Sequence, residues 1–102
     1  MQKQAILKIY GKVQGVFFRD FSRRKAKELN LSGWVKNEPD GTVQIIAEGE
    51  EKGLKELFEW CKNATPASDH REGGQGPNHA KVDKVDVEWF NPTDQFNDFL
   101  IK

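Results

Sequence analysis

The tetrad Glu38-Pro39-Asp40-Gly41 constrains this chain more than any other feature. Pro presets φ, Asp can bond its own backbone and Gly accepts a positive φ, so these residues specify a tight turn. Trp34 and Val35 stand before it. After it, Val43, Ile45 and Ala47 alternate with Thr42, Gln44, Ile46 and Glu48. Alternation across such a turn predicts a β-hairpin.

Further elements flank the hairpin. Residues 5–10 are rich in Ile and Leu and read as a strand, which Gly11-Lys12-Val13-Gln14-Gly15 interrupts. Phe18, Phe21, Ala26 and Leu29 fall on one face of a helix, with Asn30 and Gly33 bracketing its end. Leu54, Leu57, Phe58 and Cys61 fall at i, i+3, i+4 and i+7, a second amphipathic helix. Val82, Val85 and Val87, with Trp89 and Phe90, predict a fourth strand. Phe96, Phe99, Leu100 and Ile101 predict a short terminal one. The order β-α-β-β-α-β plus a final β predicts an α+β, ferredoxin-like βαββαβ sandwich. Its antiparallel sheet would hold four to five strands, with two helices on one face. The segment Asn63 to His79 carries Pro66, Gly73, Gly74, Gly76, Pro77 and both histidines, and reads as a long surface loop.

Length and charge close off several classes. The 102 residues make a single domain, 1–102. Sixteen basic residues balance sixteen acidic ones, so net charge argues for neither nucleic acid nor an anionic membrane as partner. The aromatic pattern of RNA-recognition strands is missing from Thr42 to Glu48. One cysteine, Cys61, excludes an internal disulfide framework and a multi-cysteine zinc site. No apolar run approaches the roughly 18 residues of a membrane span. The stretch Ala5 to Tyr10 is too short for a signal peptide, so a reducing cytoplasm is expected. His70 and His79 have neither the count nor the spacing of metal ligands, and no metal or cofactor is expected. Cys61 reads as a small core residue and the Arg23-Arg24-Lys25-x-Lys27 run as a solvated helix face.

The chemistry concentrates in Gly11-Lys12-Val13-Gln14-Gly15-Val16-Phe17-Phe18-Arg19, which links the first strand to the first helix. Its two glycines let the backbone turn sharply and expose N–H groups. Together with the free donors of a helix N-terminus, they can cradle a tetrahedral oxyanion. Arg19 stands at the mouth and can add a bidentate clamp. The Gly-Lys-Ser/Thr ending of a Walker loop is absent. The same residues also suit a tight β-to-α turn with an ordinary surface arginine, and Asp20 places a negative charge beside the anion site. Asn37 closes the second strand. Its carboxamide offers donor and acceptor and could hold a water for attack, or it could stabilise the turn.

Residues 9–19 and residues 33–49 together resemble the acylphosphatase family. The first segment reads as Ile-x-Gly-x-Val-Gln-Gly-Val-x-Phe-Arg and the second as Gly-aromatic-Val-Lys-Asn-x3-Gly-x-Val-x5-Gly. Gly76-Pro77 with Ala80 to Val85, and the Phe96 to Ile101 ending, are also similar to the family. The stretch between Cys61 and Gly76 departs from it by roughly a dozen extra residues.

The resemblance implies hydrolysis of a small acyl phosphate to a carboxylate and inorganic phosphate, without metal or cofactor. By position, the loop Gln14, Gly15, Val16, Phe17, Phe18 and Arg19 holds the phosphoryl group, with Arg19 and the N–H groups of Gly15 to Phe18 as donors. Asn37 orients the attacking water, and Thr42 supports Asn37 across the hairpin. Inorganic phosphate is expected as product and competitive inhibitor, and the chain is expected to be a monomer. The end of the chain at Lys102, without a partner domain, favours a free enzyme over a carbamoyl-phosphate-handling domain of a larger protein. A non-catalytic acylphosphatase-like domain is a further alternative.

Overall fold

A computed structural model of the protein describes residues 1–14, 18–63 and 81–102. The expected loop, with His70 and His79, lies beyond Asn63 outside the described residues. Five strands alternate with two helices: β1 (Gln2–Lys12), α1 (Phe18–Glu28), β2 (Ser32–Asn37), β3 (Val43–Glu50), α2 (Glu51–Lys62), β4 (Lys81–Phe90) and β5 (Phe99–Ile101). They form one sheet in the order β4-β1-β3-β2-β5.

The hairpin forms as its residues dictate. Asn37 pairs with Val43, Glu38 N–H donates to the Thr42 carbonyl, and Gly41 takes φ +93° at the turn. β1 lies between β3 and β4, antiparallel to both. The first four strands are therefore antiparallel, as expected, but β5 joins β2 in parallel and makes the sheet mixed. The reason is connectivity. β4 is one edge and β5 the other, so the eight-residue link 91–98 must cross from edge to edge at one end of the sheet. Four strand spacings come to roughly 19 Å, within reach of eight extended residues.

Ala5, Leu7, Ile9, Val35, Val43, Ile45 and Ala47 point to one face and are buried there with Phe18, Ala26, Leu54, Leu57, Trp60 and Cys61. Each large apolar side chain in this layer contributes on the order of 2 kcal/mol. Cys61 is fully buried, and desolvation pushes its thiol far above the ordinary value, as befits a core residue. One expected position changes. On α1 the inward residue after Phe18 is Ser22, fully buried, while Phe21 is 37% exposed with Arg24 against its ring. The helix ends where expected. Asn30 takes φ +60°, Asn30 N–H donates to Lys27 and Leu31 N–H to Ala26, a Schellman closure. Gly33, expected as part of that ending, instead lies inside β2.

Candidate functional site

The ends of β1 and β2, the start of β3 and the end of β5 meet at one end of the sheet. β1 leads there through Lys12 to Val13, which is 1% exposed, and Gln14. Gln14 is where the two candidate segments touch. Its side-chain amide donates to the Glu38 carbonyl at 2.7 Å and to the Thr42 carbonyl at 2.8 Å. Both amide hydrogens are thus committed to the hairpin turn, and only the Gln14 backbone remains to face an anion. Gly15, Val16 and Phe17 lie outside the described residues.

Arg19 occupies the first turn of α1. Among the described residues it pairs with no side-chain carboxylate, and Nη1 has only a long 3.4 Å contact with the main-chain oxygen of Lys102. Lys102 N–H in turn donates to the Val35 carbonyl, which sets Arg19 beside the β2 end that carries Asn37. Phe18 is a core residue. Its ring lies 5.8 Å from that of Trp60, so only its backbone could serve a ligand. Asp20, the acid next to Arg19, is occupied by Arg24 at 3.0 Å and Arg23 at 3.5 Å. The basic run therefore offsets the charge that Asp20 brings to the site.

Asn37 is partly buried, and its Oδ1 has no hydrogen-bond partner among the described residues. A buried amide oxygen without a partner costs about 1–3 kcal/mol, which a bound water or ligand group relieves. Thr42 acts one step away from it. Its hydroxyl donates to Asp40 Oδ1 at 2.6 Å and its N–H to the same oxygen at 3.0 Å. These two donors, with Lys8 at 3.0 Å, lower the Asp40 carboxyl to about 2. The Thr42 hydroxyl and N–H thus hold the turn that follows Asn37.

Sequence reasoning missed the bridging role of Gln14. Main-chain carbonyl acceptors leave no trace in residue identity. A groove of about 740 Å³ along α2, lined by residues such as Lys25, Lys52, Lys55 and Trp60, contains none of the candidate residues.

Fold and site together define a small α+β sandwich with, at one end of its sheet, a guanidinium and a carboxamide whose oxygen has no partner among the described residues. The acylphosphatase family model matches residues 5–101, and the chain belongs to that family. An acylphosphatase of Marinobacter nauticus is 45% identical over 93 residues, covering 91% of this chain and 88% of that one. One of Salinibacter ruber is 40% identical over 101 residues, covering 99% and 94%. The crystal structure of acylphosphatase from Bacillus subtilis superposes with a TM-score of 0.83 at 34% identity, covering 100% of this chain and 99% of that one.

Proposed function

We propose that this chain is a hydrolase of small acyl phosphates whose phosphoryl group is held by Arg19 and the backbone N–H groups of Gly15 to Phe18. Family membership and the named relatives support the reaction. The residue roles are supported by one observation above the rest: Gln14 ties the anion loop directly to the turn beside Asn37.

The chemistry asks little of the protein. Asn37 Oδ1 accepts a hydrogen from water and aims its oxygen at phosphorus. The P–O bond to the acyl oxygen breaks, and its electron pair leaves on the carboxylate. The water's proton passes to a phosphate oxygen. A carboxylate has a pKa of about 4–5, so it departs without a general acid. Phosphoryl transfer then depends on positioning and charge stabilisation, which a guanidinium and a ring of N–H donors supply without a metal. Inorganic phosphate, the product, occupies the same cradle and competes.

Loss of benzoyl phosphate absorbance in EDTA tests this. The wild-type protein should turn over with chelator present. Arg19→Ala should lose about 10³-fold in kcat/KM and most of its inhibition by phosphate. Asn37→Ala should lose about 10²-fold in kcat and keep phosphate inhibition. Substantial hydrolysis by folded Asn37→Ala would remove Asn37 from the mechanism, and unchanged phosphate inhibition of Arg19→Ala would remove the anion site.

A further inference from the structure

Lys12 and Lys81 are direct partners across the β1–β4 ladder. Opposed residues of an antiparallel pair project to the same side, and like charges so placed are destabilising. Both lysines are exposed. Among the described residues neither pairs with a carboxylate, whereas nearby Lys8, Lys36 and Lys84 each do. The backbone is shaped to make this juxtaposition. A register shift falls between Tyr10 and Gly11, Gly11 takes φ +130°, and a Cβ there would run into the Lys81 carbonyl. Only glycine lets β1 come this close to β4 at this point. Lys12 follows Tyr10 by two residues and shares its face, where Lys84 Nζ lies 4.5 Å and Lys8 Nζ 5.5 Å from the Tyr10 ring. A local rule broken without compensation among the described residues points to a ligand.

Strand order says which part of a substrate reaches these lysines. The anion loop follows β1, Asn37 ends β2 on one side, and β4 flanks β1 on the other. In-line displacement sends the leaving oxygen away from the incoming water. With water at Asn37, the acyl group departs towards β4. We infer that the preferred substrates are acyl phosphates whose acyl group carries a second anionic group, engaged by Lys12 and Lys81. This rests on the proposed roles of Asn37 and the anion loop.

Three substrates of one shape test it: benzoyl phosphate, its 4-carboxy derivative and the neutral 4-carbamoyl derivative. At low salt the wild-type kcat/KM should favour 4-carboxy over 4-carbamoyl by about fivefold, the worth of two exposed ion pairs. The preference should shrink as salt rises. In Lys12→Gln/Lys81→Gln the ratio should fall to near unity. Both sites are exposed, and removing opposed like charges relieves repulsion, so the variant should fold. Hydrolysis of benzoyl phosphate without preference for the 4-carboxy derivative, or a preference that survives the double substitution, overturns this inference alone. No hydrolysis of any of the three by folded wild type overturns it together with the proposed reaction.

Discussion

The two ends of the sheet are made from the same strands on opposite terms. At the far end Glu48 is only 4% exposed, yet its carboxylate is surrounded by donors. Gln4 Nε2 reaches it at 2.7 Å, Thr93 N–H and hydroxyl at 2.8 and 2.6 Å, and Asp94 N–H at 3.0 Å. β3 is the middle strand, so Glu48 fastens the 91–98 link midway between the two edges. At the site end Asn37 Oδ1 has no hydrogen-bond partner among the described residues, Arg19 has no side-chain carboxylate there, and Lys12 faces Lys81. A polar group with its partners built in stabilises the fold, and one without them is available to a ligand.

Substitutions at the two ends should therefore separate stability from turnover. The largest stability change is expected at Glu48. Glu48→Gln replaces acceptors with an amide that faces donors, and should cost about 2–3 kcal/mol in urea unfolding while leaving kcat/KM within a factor of about two. A comparable loss of kcat would show that the ends are not separable. Acid should act through the same group. Burial opposes ionisation of Glu48, but the Thr93, Gln4 and Asp94 donors outweigh it and hold the carboxyl below its ordinary 4.5. Its contribution is full above that value and is lost as pH falls through the lowered folded value. Asp40, lowered from 3.8 to about 2, loses its contribution over that interval. Unfolding midpoints measured from pH 6 to 2 should fall in wild type and fall less in Glu48→Gln.

Gln14 joins the loop to the turn, so Gln14→Ala should reverse the pattern. An expected loss of about tenfold in kcat should accompany only about 1–2 kcal/mol of destabilisation. Full kcat would show that the turn is held in place without it. The smallest effect is expected midway along α1. Ser22 Oγ is buried without a hydrogen-bond partner among the described residues, and Ser22→Ala should raise stability by up to about 1 kcal/mol. A loss on urea titration would mean that the hydroxyl has a partner in solution.

Legibility followed the range of the forces. Asp40 and Gly41 announced the hairpin because turn chemistry is local, and the αL ending of α1 was legible at Asn30 for the same reason. The direction of β5 was hidden, because it depends on a link that crosses three intervening strands. Glu48 alternates like an outward residue, yet it is buried by Thr93, 45 residues along the chain. Phe21 looked inward by hydrophobicity, but at its place on α1 Ser22 takes the inward position instead. In the site, glycine spacing and the family resemblance singled out Arg19 and Asn37. The Gln14 bridge could not be read, since it ends on carbonyls that every residue carries.

The parallel pairing of β5 with β2 has a kinetic consequence. Gly33 pairs with Phe99 and Gln4 with Phe90, so both edges of the sheet close contacts between residues far apart in sequence. Loop closure on that scale slows folding relative to a local hairpin. β5 follows every other described element, and Lys102 beyond it is the residue whose main-chain oxygen lies against Arg19. A growing chain can therefore form the β2–β3 hairpin long before the Arg19 guanidinium has its final surroundings. Activity should lag behind secondary structure during refolding, with the lag set by docking of the 91–98 link onto Glu48.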